Sequence, residues 1–146
     1  VDARDLGLGP VRDIALAPSG STFAAIHEGG ADVAIFPTQG GASEGPQRVL
    51  RGHAKAVSSI AFSADGAMLV SVSMEERQTC VFDLAAEGDD ADAPVARISD
   101  AGTCVGLSPD GRFLFLGQEV DGALNCWAVD NLEGGRHARM AEPRHL

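Results

Sequence analysis

The sequence predicts an all-β protein made of three consecutive four-stranded antiparallel units. A turn that ends in glycine recurs at Gly20, Gly66 and Gly111, at intervals of 46 and 45 residues. The apolar residues on both sides of this turn keep the same distance from it in all three copies. Within each copy they mostly alternate with polar residues, which is the period of a strand and not of a helix. Self-similarity at a fixed spacing therefore indicates three copies of one β-unit.

The second copy shows the strands of the unit in order. An Asp-Gly turn, the commonest signal of a hairpin, joins its first two alternating runs. The predicted strands are residues 57–62, 68–73, 79–83 and 95–99, with residues 47–51 as the fourth strand of the first copy. Gly-rich and acidic linkers at 38–46 and 85–94 separate the third strand from the fourth. Four antiparallel strands at a period of about 45 residues are typical of a propeller blade.

Short motifs in these copies resemble those of the WD-repeat family. The second copy starts with Gly52-His53 and has "VFDL" (81–84) where the family has Trp-Asp. The third copy keeps the turn "SPDG" (108–111) and has Trp127 at the end of its third strand. The resemblance covers nearly the whole chain and implies a WD-repeat-like β-propeller with three four-stranded antiparallel blades.

The blades are expected at about 7–52, 53–100 and 101–146, with residues 1–6 as the outer strand of a preceding blade. Propellers close with about four to eight blades, so three blades predict a section of a larger propeller. A ring completed by other chains is the alternative. In both cases the end blades would expose apolar faces, and such faces favour association.

The family resemblance implies a structural role for His53. In the family this histidine is buried and bonds to a strand serine or threonine and to a turn acid. Glu76 stands at the position of that acid in the second copy, and Asp121 precedes Trp127 by six residues, which is the family spacing of the turn acid. The predicted structural residues are His53, Ser71, Ser73, Asp121 and Trp127. An exposed contact is the alternative for His53.

The resemblance also implies that partners bind at the top face. We define the top face by the loops that lead into first strands and those that join second to third strands. The candidate partner-binding residues there are His27, Glu28, Lys55, Glu75, Glu76, Arg77 and Glu119. A solvated loop residue is the alternative reading for each of them.

Motifs for catalysis are missing from the sequence. There is no Gly-x-Ser-x-Gly elbow and no phosphate-binding Gly-Lys-Ser loop. The acids at 85–94 lack the spacing of a calcium loop. We therefore expect no catalytic, cofactor-binding or metal-binding residues, and a non-catalytic protein–protein interaction scaffold that serves as subunit or adaptor of a multiprotein complex. The alternative is part of a propeller enzyme whose active site lies in other blades.

Charge and composition limit the classes of partner and the cellular compartment that we expect for this chain. With 21 acidic and 11 basic residues the net charge is −10, which argues against nucleic acid, because its backbone needs a basic surface. No apolar run approaches the ~20 residues of a membrane span. An odd count of three cysteines favours reduced thiols and an intracellular protein, cytoplasmic or nuclear. The expected partners are other proteins, including further blades from the same or another chain.

Overall fold

The computed structural model of the chain consists of three antiparallel sheets. It describes residues 9–40, 45–119, 122–132, 135–140 and 144–145, with side chains as far as Val129. These ranges contain strands and turns but no helix, so they include no helical segment that could cross a membrane.

Each sheet is a meander in which consecutive strands are neighbours, and we call the sheets blades 1, 2 and 3. Blade 1 consists of β1 Val11–Leu16, β2 Thr22–His27, β3 Asp32–Pro37 and β4 Arg48–Arg51. Blade 2 consists of β5 Ser59–Phe62, β6 Met68–Ser73, β7 Gln78–Asp83 and β8 Ala96–Ile98. Blade 3 consists of β9 Cys104–Leu107, β10 Phe113–Gly117, β11 Ala123–Leu132 and β12 Gly135–Met140, with β13 Arg144–His145 also paired to β11. The predicted all-β fold with three four-stranded antiparallel units is confirmed.

The strand register is the same in all three blades. Across the first and second strands, the facing pairs are Leu16–Phe23, Phe62–Leu69 and Leu107–Leu114. Across the second and third strands, they are Phe23–Phe36, Leu69–Phe82 and Leu114–Trp127. A shift of one residue would move every side chain to the opposite face of the sheet, so the repeated spacing in the sequence preserves one register.

The turn between the first two strands is what fixes this register. Gly20, Gly66 and Gly111 have φ values of +72°, +72° and +69°, in the left-handed region that glycine adopts without a steric penalty. In blade 2 the Ser63 hydroxyl donates to the Asp65 carboxylate at 2.6 Å, which closes the turn from inside. The recurring glycine therefore marks the same backbone conformation in each copy.

The apolar core lies between adjacent blades. Blade 1 contributes Ala24, Ile26, Ile35 and Leu50, which pack with Ile60, Leu69 and Phe82 of blade 2. Blade 2 contributes Val70, Val72 and Val81 from its other face, which pack with Leu114 and Leu116 of blade 3. The residues at the interface of blades 2 and 3 follow those at the interface of blades 1 and 2 at the repeat spacing. The two interfaces are therefore packed in the same way.

The acidic linker of blade 2 is tied to blade 1 by Arg48. Its Nε lies 2.6 Å from Asp92 Oδ1, and its guanidinium also donates to the carbonyls of Leu84, at 2.8 Å, and Ala91. Asp89 and Asp90 remain exposed. The acidic linker is thus partly ordered by a cation from the neighbouring blade.

Replacing Phe82 with alanine should destabilise the protein strongly. Its side chain is 1% exposed between blades 1 and 2, so truncation leaves a cavity that costs about 3–5 kcal/mol. Denaturant unfolding at one fixed protein concentration measures the loss. The control is Met74→Ala, because Met74 is 38% exposed and its truncation should change the free energy of unfolding by less than about 0.5 kcal/mol. Equal losses in the two variants would contradict this account of the core.

Candidate functional site

His53 connects the end of β4, the outer strand of blade 1, to the inner strands of blade 2. It follows β4 by two residues, and its side chain is only 1% exposed. Its Nε2 lies 2.8 Å from Ser71 Oγ on β6, and its Nδ1 is hydrogen-bonded to a carboxylate oxygen of Glu76 in the β6–β7 loop. A carboxylate only accepts, so Nδ1 donates to Glu76, and in the neutral ring Nε2 then accepts from the Ser71 hydroxyl.

Glu76 connects this histidine to the loop that follows it. Its second carboxylate oxygen accepts hydrogen bonds from the backbone amides of Ala54 and Lys55 at 2.9 and 3.2 Å. Burial alone would raise the pKa of Glu76, but the hydrogen bonds from His53 and the two amides outweigh it and lower the pKa below 4.5. Glu76 was predicted as a partner contact, yet its side chain is 15% exposed and turned inward. It is better described as the residue that fixes two top-face loops to each other.

Ser71, His53 and Glu76 have the order of a nucleophile, base and orienting acid. Such a triad activates a serine only when substrate can reach the hydroxyl. Ser71 is 0% exposed and the His53 side chain is 1% exposed, so substrate has no access to Ser71 Oγ. The three residues form a structural network.

Ser73 does not join this network, although the sequence analysis placed it there. It is fully buried, and its Oγ has no hydrogen-bond partner in the described part of the chain. Both nitrogens of the His53 ring are already used by Ser71 and Glu76. A buried hydroxyl without a partner costs free energy, so the Ser73 hydroxyl contributes nothing to the network around His53.

Asp100 is the central polar residue of the corresponding site in blade 3, and the sequence analysis missed it. It follows β8 by two residues, as His53 follows β4, and it is 7% exposed. Its Oδ2 accepts hydrogen bonds from Trp127 Nε1 at 3.0 Å and Asn125 Nδ2 at 2.8 Å. Its Oδ1 accepts from Gln118 Nε2 at 3.3 Å. Trp127, predicted as structural, thus lies in a hydrogen-bonded network around a carboxylate.

The hydrogen-bond polarity of this network differs from that around His53. The histidine both donates and accepts, whereas the carboxylate of Asp100 is surrounded by donors from the β10 end and β11. The sequence features that could have revealed this site are the segment "SDAG" (99–102), which stands at the place of Gly-His, and the side-chain amides at 118 and 125. Asp121, the predicted turn acid of this blade, lies outside the described residues.

The other predicted contacts of blade 2 lie exposed on the top face. The side chains of Lys55 and Glu75 are 57% and 61% exposed and form a 3.6 Å ion pair across the two loops that Glu76 joins. Arg77 is exposed and has a φ of 53°, an unusual left-handed conformation for a residue with a side chain. Met74 is 38% exposed and adds apolar area to this surface, although the sequence analysis did not single it out.

The remaining candidates lie on equivalent loops of blades 1 and 3. His27 is half-buried, and its ring fills the space above Gly30, where any Cβ would come within 2.1 Å of Nε2. Glu28 beside it is exposed. Glu119 is exposed on the β10–β11 loop and borders an open depression of about 380 Å³ that Cys104 also lines. His27 therefore has a packing role, while Glu28 and Glu119 are open to solvent.

A protein-family model matches more than half of the chain. The family model described as "Domain of unknown function (DUF7165)" matches residues 9–110. Searching curated proteins finds no significant match to the sequence.

Solved structures of Hsv2 from two yeasts superpose well on this chain. Hsv2 of Kluyveromyces lactis matches with a TM-score of 0.78 at 15% identity, over 93% of this chain and 47% of its own. A second K. lactis structure, with complete loop 6CD, matches with a TM-score of 0.77 at 16% identity, over 93% and 48%. Hsv2 of Kluyveromyces marxianus matches with a TM-score of 0.71 at 16% identity, over 93% and 46%. The chain spans about half the length of these β-propellers, and the likeness shows that it has the fold of a propeller section.

Replacing Asp100 with alanine should destabilise blade 3. The variant leaves the half-buried Trp127 indole and Asn125 amide without their acceptor, and an orphaned donor of this kind costs up to about 1–3 kcal/mol. Trp127 is the only tryptophan, so its fluorescence reports both the local change and the unfolding transition. Asp89→Ala removes an exposed carboxylate and serves as the control. Unchanged emission and stability in the Asp100 variant would rule out the network.

Acid should weaken the protein partly through Glu76. The pKa of Glu76 is lower in the folded protein than in the unfolded chain, so the unfolded chain binds a proton more readily. The stabilisation by ionised Glu76 is therefore complete above pH 4.5 and is lost as the pH falls through the folded pKa. Glu76→Gln removes this titration. The wild type should therefore be more stable than the variant near neutral pH, and the difference should shrink below about pH 4.5. Denaturant unfolding of both proteins across this range measures it, and a constant difference would contradict the assignment.

Proposed function

This chain belongs to the family described as "Domain of unknown function (DUF7165)", and on that premise we propose that it is a non-catalytic protein–protein interaction scaffold. In this proposal it is a WD-repeat-type propeller section that serves as a subunit or adaptor of a multiprotein complex in the cytoplasm or nucleus. Free thiols at Cys80, Cys104 and Cys126 suit a reducing compartment. The net charge of −10 favours protein partners over nucleic acid.

One observation carries the proposal: exposed side chains of blade 2 are presented on loops that a buried network holds in place. Glu76 binds His53 and the amides of Ala54 and Lys55, so the loop after β4 and the β6–β7 loop are fixed together. Lys55 and Arg77 then project from an ordered support. A surface that is ordered before binding loses less conformational entropy when a partner arrives, which favours recognition.

The composition of this surface also suits a protein partner. Met74 offers apolar area, and Lys55, Glu75 and Arg77 offer both signs of charge within two adjacent loops. Interfaces of transient complexes combine apolar and polar contacts in this way, and methionine and arginine are enriched in them. The exposed Lys55–Glu75 pair contributes only ~0–1 kcal/mol to folding, so these charges are available for binding.

Charge reversal on the top face should abolish partner binding without unfolding the protein. We expect the double variant Lys55→Glu, Arg77→Glu to lose partners that co-purify with the wild type from its native cells. The melting temperature should change by only a few degrees, because exposed charges contribute little to stability.

Arg112→Glu is the matched control, since Arg112 is exposed at the opposite end of blade 3. The control should retain the partners. Retention of every partner by the double variant, or equal loss in the control, would refute the top-face assignment.

A further inference from the structure

Arg77 has a backbone conformation that is costly for a residue with a side chain. Its φ is 53°, and among the residues that the structure describes it is the one non-glycine residue with a positive φ. In this left-handed region the Cβ of an L-residue lies too close to the following carbonyl oxygen. Glycine avoids the contact, and asparagine can offset it with a local hydrogen bond. Arginine has neither advantage, so it is an unfavourable residue for the β6–β7 loop.

The other two blades place glycine in this conformation. Gly122 lies immediately before β11, at the repeat spacing from Arg77, which lies immediately before β7, and its φ is +68°. In the β2–β3 loop of blade 1 the positive φ falls on Gly29, at +79°. The backbone of this loop therefore does not require an arginine.

Within the described ranges, the fold makes no use of the Arg77 side chain. The residue is exposed, and its guanidinium has no hydrogen-bond or ion-pair partner there. Its backbone amide donates to the Met74 carbonyl at 3.3 Å, a bond that glycine would make equally well. The adjacent acids are engaged elsewhere, because Glu75 lies 3.6 Å from Lys55 Nζ and Glu76 is turned inward. Strained residues cluster at binding sites, where the side chain has a function that outweighs its cost.

We propose that Arg77 is the anchor for an acidic side chain, Asp or Glu, of the protein partner. This role rests on the scaffold function, because it names the chemistry that the top face recognises. A guanidinium presents a planar fork of N–H donors that matches a carboxylate with two parallel hydrogen bonds. Met74, 38% exposed at the start of the same loop, offers apolar area to the residue beside that acid.

The charges around Arg77 favour a carboxylate over a phosphate group. Two glutamates precede Arg77 in the loop, and the net charge of the chain is −10. A phosphate carries about −1.5 to −2 charges, so these acids would repel it more strongly than a carboxylate. Phosphopeptide sites use clusters of arginines, whereas the nearby cation Lys55 is already paired with Glu75.

Phage display of random peptides on the purified chain tests the anchor. The wild type should enrich Asp and Glu at one position, next to an apolar residue, and Arg77→Glu should enrich Lys and Arg there instead. Arg77→Gly should weaken binding of the selected peptide by about 10- to 150-fold, the value of a hydrogen bond to a charged group. Arg112→Gly removes an exposed guanidinium at the opposite end of blade 3 and should leave the affinity unchanged. An acidic preference that is absent from the wild type, or that persists in Arg77→Glu, overturns the proposal, as does tighter binding of the same peptide with phosphoserine in place of its acid.

The stability of Arg77→Gly separates a binding role from a structural one. Glycine relieves the steric contact, so the melting temperature should rise by about 2–4 °C while binding weakens. Arg112 has no positive φ, so Arg112→Gly should not raise the melting temperature. A melting temperature of Arg77→Gly below that of the wild type would give the arginine a structural role and overturn the proposal.

Partner retention distinguishes failure of the anchor from failure of the scaffold function. If Lys55→Glu, Arg77→Glu loses the co-purifying partners but Arg77→Gly keeps them all, the anchor is wrong and the scaffold function stands. If the double variant also keeps every partner, the scaffold function fails and the anchor fails with it.

Discussion

The need to cover both faces of a thin sheet governs this structure. All six residues of β6 are buried, because blade 2 has a neighbour on each side. No single four-stranded sheet buries its own faces, so the stability of each blade depends on the next one. This dependence explains why small and branched aliphatic residues recur at the repeat spacing: Ala24 and Val70 occupy equivalent positions and both meet the following blade. Ile14 and Leu16 of β1, by contrast, are 60% and 64% exposed, and among the described residues no further sheet precedes blade 1.

Polar networks at the ends of the outer strands add a second level of order. The apolar interfaces position the sheets, whereas His53 and Asp100 position the loops at one edge of them. Each network brings together residues 18 to 27 positions apart in the chain, so it ties an outer strand to the inner strands. Buried polar groups must be satisfied to avoid a free-energy cost. Their partners therefore restrict the loop conformations far more than solvated loop residues would.

Much of the fold could be predicted from the sequence, because turn chemistry and apolar spacing are local signals. β6 spans Met68–Ser73, as predicted, and β7 begins one residue earlier than expected. β5 begins at Ser59 and not at Val57, because the Val57 amide bonds to the Gly30 carbonyl of blade 1 instead of its own sheet. The role of Asp100 was missed because its donors, which lie 18 to 27 residues further along the chain, come together only in the folded protein. The inward orientation of Glu76 was missed because a glutamate in a polar loop is usually solvated.

The different polarity of the two networks has a consequence for how interchangeable the blades are. Histidine at position 53 needs an acceptor and a donor, while aspartate at position 100 needs donors alone. Exchanging either residue for the other would leave hydrogen-bonding partners without a match. Each of the two blades therefore depends on its own set of side chains at this place, formed in blade 3 by Asp100, Gln118, Asn125 and Trp127. A single substitution toward the other blade would break the local match, so changes at these positions must be made together if stability is to be kept.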